Sequence, residues 1–397
     1  MKADIITSKS VILFFFDIAL FSFFFYSILS ASDNMVFFPN FGNAFYFLSV
    51  LSSLLSMISN LKYDSIVRIN IFVFLIIFSL YFHFGLGYRI MPNILLIIAA
   101  SHIQVNHIMR VLLFSTAFCM LFMLLMVSLG LVNNYIMARD FMSGSSYNLG
   151  FQHYSGFSLR FIALFYLFLY VNRNKLTWVK IIFISSISLI VFLFTVTRLQ
   201  LLSCLAILVL YILQFKFHII NFKKSIYKYI SLLIYPLAII FYYLVLTVSF
   251  IIDNDYFEVI NTGVNGRLDF TVLAFEKYSV TLFGQEIEMV GAREAEGAFG
   301  NYFYIDSGYI YWLLALGLIF FTFILLSYIV IIYRSYKYQN FGVFAIMTVM
   351  AFANLSNDFF TTFFMGFPLI ILLFADFNNN SNIFLNKRYG YRLSFNS

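Results

Sequence analysis

Arg198 lies in the run TVTRLQLL, between two apolar stretches that turn back on each other. A guanidinium there costs free energy unless water or an anion meets it, and its planar fork grips phosphate or carboxylate oxygens in pairs. Arg267 follows Gly263 and Gly266 in NGRLDFTVLAF. Leu268, Val272, Phe275 and Ser279 then recur at helical spacing with Leu273 beside them. The spacing predicts a short amphipathic helix on the membrane surface, ending before Leu282-Phe283-Gly284-Gln285. Arg267 would stand at its N-terminus, which itself attracts phosphate oxygens. Asp306 precedes Gly308 and an apolar run from Tyr309. Capping that run is its first expected role; a carboxylate at a membrane surface also has a disfavoured charge and can act as general base. His153 is a second group able to accept a proton near neutral pH, although a lone loop histidine is more often incidental. Arg139, Arg160 and Arg293 complete the candidate anion ligands; Arg293 sits in the solvated run Arg293-Glu294-Ala295-Glu296. No Walker loop, zinc spacing or nucleophile elbow is present, and nothing calls for a cofactor. Asp253/Asp255 and Glu286/Glu288 have no diagnostic cation-binding spacing.

The elements that must hold these residues follow from composition. The chain has 397 residues, 62% hydrophobic and 10% charged, with mean hydropathy +0.93. Soluble domains carry about 25% charged residues, so lipid must be the solvent here. Apolar runs near 20 residues recur throughout, and in hydrocarbon each must be helical. Spans are expected near 11–29, 44–59, 68–84, 90–101, 111–132, 157–171, 180–195, 199–215, 229–252, 309–333, 341–356 and 360–376. This gives an all-α polytopic protein, one membrane domain over 1–397, with about twelve helices. The first run lacks a small-residue cleavage site and is expected to remain as a span. Cys119 and Cys204 fall inside apolar runs and read as packing residues. The net charge of +7 needs no nucleic acid, because polytopic proteins collect Lys and Arg on the cytoplasmic side.

With both termini inside, 17 of the 24 Lys and Arg fall on the inner side. That places the loops 133–156 and 253–308 outside. Residues 253–306 carry 13 of the chain's 41 charged residues, including 10 of its 17 acids, which marks them as the main aqueous segment. The seven outer cations are Arg89, Arg139, Arg160, Arg198, Arg267, Lys277 and Arg293. Six of seven are arginine, whereas the inner set is mostly lysine; that bias favours an anionic ligand over simple headgroup anchoring. Asp17, in the first span, and Asp358, at an outer hairpin, are expected to pair with arginines.

Three stretches together resemble the O-antigen polymerase (Wzy-type) family, within the wider group of O-antigen ligases and polysaccharide polymerases. TVTRLQLL is similar to that family's Thr-x-Ser-Arg, with Thr197 in place of Ser. GRLDFTVLAFEKYSVTLFGQ is similar to its Gly-Arg, helix, Phe-Gly pattern, which includes Gly284. DSGYIYWLLALGLIF is similar to its Asp-Asn/Ser-x-Tyr followed by Gly, here Asp306, Ser307, Tyr309 and Gly317. An Arg-x10-Gly motif is met by Arg139 and Gly150, but not in the larger loop, where Tyr278 and Tyr304 stand at the glycine positions. The resemblance implies a membrane glycosyltransferase (GT-C-like) fold and a metal- and nucleotide-sugar-independent polymerase of undecaprenyl-diphosphate-linked oligosaccharide repeats. It implies the bacterial inner membrane, and a chain-length regulator and flippase of the same pathway as partners. Arg198, Arg267, Arg139, Arg293 and Arg160 would bind diphosphate, Tyr309 and Gly284 other parts of the substrate, and Asp306 and His153 would be catalytic. Ligases typically carry His-Asn where Asp306-Ser307 stands here. A repeat-unit flippase would place its ionisable groups at mid-membrane.

Overall fold

A computed structural model describes residues 2–32, 41–61, 73, 87–139, 144–152, 154–251, 258, 261, 267–290, 303–355 and 369–378. The helices are α1 (Lys2–Ser30), α2 (Phe41–Leu61), α3 (Gly87–Ala99), α4 (Val105–Ser128), α5 (Tyr154–Asn172), α6 (Trp178–Thr195), α7 (Arg198–Phe215), α8 (Ile226–Ile251), α9 (Arg267–Lys277), α10 (Gly308–Lys337) and α11 (Phe341–Ala353). Two short strands, β1 (Ile136–Arg139) and β2 (Gly144–Tyr147), pair as a hairpin, a small departure from the expected all-α composition. Among the described residues, eight helices are long and apolar enough to cross a membrane: α1, α2, α4 to α8, and α10. The protein is a mostly helical membrane protein. The expected span 68–84, apart from Val73, and residues 360–368 of the expected last span lie outside the described residues. Leu369–Leu373, within that last span, is a 3-10 turn, and the expected span at 90–101 is the 13-residue α3. The 180–215 region is a hairpin of α6 and α7, as expected, with Val196 left-handed (φ 50°) at the corner.

The core centres on α11, whose first seven residues are all buried. Tyrosines from three helices donate to its carbonyls along its length: Tyr211 of α7 to Gly342 (3.3 Å), Tyr235 of α8 to Met347 (3.0 Å) and Tyr309 of α10 to Ala351 (2.8 Å). A buried phenol needs such a partner, so each hydroxyl sets the height at which its helix meets α11. Gly342 permits the closest approach, since a Cβ there would stand 2.6 Å from the Tyr170 ring. The outward faces of α6 and α7 are apolar as well, with Val179, Ile182, Leu193 and Leu202 exposed, as lipid-facing helices require.

Topology gives the bundle two ends. Asn340, just after α10, donates to the Tyr170 hydroxyl near the end of α5 (3.0 Å), so the C-termini of α5 and α10 share one end. The starts of α5, α7 and α10 therefore share the other end, together with the corner at Thr197. At that second end the loop before α5 is tied to α1: Ser32 bridges Phe151, and Gln152 N–H donates to Ala31 O (3.1 Å). Tyr147 of β2 meets Phe194 of α6 edge-on, which seats the hairpin beside the α6–α7 corner.

α10 is not continuous. Gly317 has φ 79° and ψ 169°, and the segment 281–285 enters the break. Leu318 N–H donates to Thr281 O (2.9 Å), Ile319 N–H to Leu282 O (3.2 Å), and Gln285 N–H to Ala315 O (3.2 Å). Groups that the helix cannot satisfy are thus satisfied by the loop. The crossing works because both partners are glycine. Gly284 also has positive φ (87°), and a Cβ on Gly317 would lie 2.2 Å from Gly284 N.

Gly317→Ala is therefore expected to destabilise the purified protein. Extended backbone at positive φ, a region essentially confined to glycine, costs an alanine about 1–3 kcal/mol, and overpacking adds about 1–3 kcal/mol. Gly42→Ala, which meets only Leu29 Cβ at 3.9 Å, serves as control. An unchanged apparent melting temperature for Gly317→Ala in detergent would disprove the role given to the crossing.

Candidate functional site

Two of the residues singled out from the sequence meet at the start of α10. Arg267 Nε lies 3.3 Å from Asp306 Oδ2. Their side chains are 25% and 21% exposed, so the pair is partly desolvated and its Coulomb attraction only partly screened. Arg267 is the first residue of α9. The cap comes from Asn261, which accepts from Leu268 N–H (3.1 Å) and donates to Asp269 Oδ2 (2.5 Å). Asn261 thereby fixes the angle at which α9 leaves the chain and Arg267 projects.

α9 packs on the ends of α8 and α10 through Leu268, Thr271 and Ala274, against Tyr242, Leu246, Ile310 and Leu314. Its inner face is therefore one position off the apolar stripe expected from the sequence. Leu268 is shared, but Thr271 and Ala274 replace Val272 and Phe275. The reason is specific: the Thr271 hydroxyl shares a hydrogen bond with the buried Tyr242 hydroxyl (2.8 Å), and Ala274 lets the helices close up. Val272 and Phe275 are left to line an apolar cleft of about 230 Å³ with Leu246 and Glu276. On the other side of α9, Lys277 Nζ lies 4.4 Å from the Phe303 ring centroid, and Tyr278 stacks on the same ring. The bridge between Val290 and Phe303 then returns the loop towards Asp306.

Asp306 does not cap α10. Ser307 occupies the cap position without a side-chain capping bond, and the Asp306 carboxylate turns to Arg267 instead. Burial raises the Asp306 carboxyl above its ordinary range, and Arg267 offsets this only in part. The segment is held from behind by α11: Gly308 N–H donates to Asn354 O (3.1 Å). Asn354 is fully buried, and its side-chain amide finds no hydrogen-bond partner among the described residues. Sequence reasoning passed over Asn354, Asn261 and Tyr242. Polar residues inside or beside apolar runs are the signal that would have found them.

The remaining candidates fall in different places. Arg198 opens α7 and is exposed, at the same end of the bundle as Arg267 and Asp306. Arg160 is pinned inward: Nη1 donates to Gly156 O (2.9 Å), Nη2 reaches Ser27 O (3.5 Å), and the guanidinium covers the Phe151 ring at 4.7 Å. These contacts fasten Phe151 and the start of α5 to α1, so Arg160 is built into the scaffold rather than offered to a diphosphate. Tyr309, expected to touch substrate, is 2% exposed with its hydroxyl donated to Ala351 O; it is a core residue. Gly284 serves the α10 crossing by backbone geometry, not by a ligand contact. Arg139 ends β1 opposite Gly144. His153, Arg293 and Asp358 lie outside the described residues. Asp17 pairs with His107 at 2.8 Å, and among the described residues with no arginine. Cys119 and Cys204 are buried and free. Among the described residues no three His, Cys, Asp or Glu side chains gather as a metal site.

Comparison of the chain with protein-family models, with curated proteins and with solved structures found no match.

Two outcomes follow from this geometry. A carboxyl raised in the folded state binds its proton more tightly there than in the unfolded chain, where it titrates near about 3.9. Its contribution therefore favours the fold at low pH and is lost as pH rises through the folded value. Asp306→Asn should remove that component, so melting temperatures of variant and wild type should diverge as pH rises above about 4. Parallel pH profiles would rule the assignment out. Asn354→Leu, with the same branched heavy-atom skeleton, should raise the melting temperature by relieving an unmet amide worth about 1–3 kcal/mol; a fall would show that the amide is satisfied in solution.

Proposed function

We propose that the protein is a polymerase of polyprenyl-diphosphate-linked oligosaccharide repeats, an O-antigen or related surface-polysaccharide glycosyltransferase. The observation that carries the reading is the contact of Arg267 with Asp306, a cation beside a carboxyl of raised pKa, at the end of the bundle that also holds Arg198. A lipid diphosphate needs cationic partners, and an attacking sugar hydroxyl needs a proton acceptor. In this reading the hydroxyl oxygen of the incoming repeat attacks the anomeric carbon of the growing glycan. The bond from that carbon to the diphosphate oxygen breaks, and the electron pair leaves with the lipid diphosphate. Asp306, as carboxylate, takes the hydroxyl proton; its raised pKa makes it a stronger base for the purpose. Arg267 and Arg198 balance the charge that develops on the leaving oxygens.

The same reading carries finer claims: twelve spans, a GT-C-like architecture, both termini in the cytoplasm, and residence in a bacterial inner membrane with the reaction on its outer side. It gives the cleft of Leu246, Val272, Phe275 and Glu276 to the part of the donor next to the lipid. It assigns substrate roles to Arg139, Arg293 and His153 only if their segments close on the same end.

In a strain lacking the gene, complementation with Arg198→Ala or Arg267→Ala should leave single repeats on the lipid core and no long chains. Loss of one preorganised donor lowers such rates by about 10²–10³-fold. Full ladders on a gel, with both variants at normal levels, would refute the site. Loss of single repeats as well, in the strain without the protein, would favour ligation or flipping over polymerisation.

A further inference from the structure

The geometry points to a second anion site, for the phosphate of an anionic lipid headgroup, at the end of the bundle opposite Arg267 and Asp306, built from Arg110, Arg173 and Asn106. It does not rest on the polymerase reading. Arg173 follows α5, and its guanidinium is locked: Nη1 donates to Tyr170 O (2.7 Å), Nη2 donates to Asn106 Oδ1 (2.8 Å), and its carbon lies 4.0 Å from the Tyr170 ring centroid. Tyr170 is itself fixed, because its hydroxyl donates to Asn106 Oδ1 (2.8 Å) and accepts from the Asn340 amide (3.0 Å). All these acceptors are neutral. The guanidinium is oriented but its charge is not cancelled, and among the described residues no carboxylate lies within ion-pair distance of it. An oriented guanidinium whose charge is not cancelled remains available to an incoming anion.

Arg110 adds the second charge. It lies one helical turn beyond Asn106 on α4, on the stripe facing Tyr170, and close enough for its charge to act on the Tyr170 hydroxyl. It is exposed, while its neighbours Ile108, Met109 and Leu112 are buried. Being one turn further along the span, its side chain must extend back towards the headgroup layer, which brings it towards Arg173. Asp17, on α1, is engaged at 2.8 Å by His107, the residue after Asn106. Lys180, held to Asn172 Oδ1 (2.7 Å), keeps the surrounding field positive. Two guanidiniums match the oxygens of one phosphodiester, and the apolar faces of α4 beside them would carry acyl chains.

The test uses the purified full-length chain in detergent, with phosphatidylglycerol, phosphatidylcholine or inorganic phosphate added, and counts retained lipid by native mass spectrometry. Wild type should retain phosphatidylglycerol over phosphatidylcholine. Arg110→Gln should weaken that retention about tenfold, the effect of losing one charge-assisted contact. Arg110 makes none of the bonds that hold the network, so the variant should keep the wild-type melting temperature. Lys224→Gln, exposed on another turn, should change nothing. Displacement of the lipid by equimolar inorganic phosphate would support the anion site but assign it to free phosphate. Equal retention of the two lipids, or equal loss for Lys224→Gln and Arg110→Gln, would overturn the proposal.

Discussion

A backbone N–H or C=O that leaves its helix inside hydrocarbon must find a partner in the protein, because no water is there to take it. The break at Gly317 is where this constraint shapes the molecule. Leu318, Ile319 and Ala315 would each lose a partner at the break, and the strand-like segment 281–285 provides all three bonds. That segment leads directly from α9, which carries Arg267, and α10 begins two residues after Asp306. The same three bonds that satisfy the broken helix therefore fix both approaches to the Arg267–Asp306 pair. A loop free to move in water would have held neither residue at 3.3 Å from the other.

The rest of the bundle applies the same economy to side chains. α11 is short and central, and its carbonyls at Gly342, Met347 and Ala351 receive tyrosine hydroxyls from three neighbouring helices. Each phenol brings apolar ring area into the core and places one polar atom where only a backbone oxygen can meet it. Around the start of α5, Arg160 does comparable work by tying Phe151 to α1. At the opposite end, Arg173, Tyr170, Asn106 and Asn340 form a neutral-acceptor network that orients positive charge. The two ends thus treat arginine differently. Arg267 is balanced by a carboxylate, whereas Arg173 is held by amide and carbonyl oxygens alone among the described residues.

The membrane class was legible from composition, and most span boundaries from the apolar runs. α6, α7 and α10 start within two residues of the expected positions. The short helix opening at Arg267 was legible from two glycines and a repeating apolar spacing. Its buried face was not, because the spacing weighs Val272 and Phe275 as core, while the structure buries Thr271 and Ala274 against Tyr242. Hydrophobicity ranks residues by solvent preference; a shared hydroxyl bond and a close helix contact outrank it locally. The role of Asp306 was misplaced for a similar reason. Asp-Ser-Gly before a helix is read as a cap when only neighbours in sequence are considered, and a guanidinium 39 positions away cannot be seen there.

By itself, the sequence determined that lipid is the solvent, that the elements are helices, and that arginine is concentrated among the cations expected on one side. Those properties depend on residue types and on spacings of a few positions. Tertiary structure alone decided which arginine meets a carboxylate, that Arg160 and Tyr309 face inward, and that Gly284 and Gly317 form one crossing. These depend on distances between segments remote in the chain, and such distances are set by packing and by the need to satisfy each buried polar group at once.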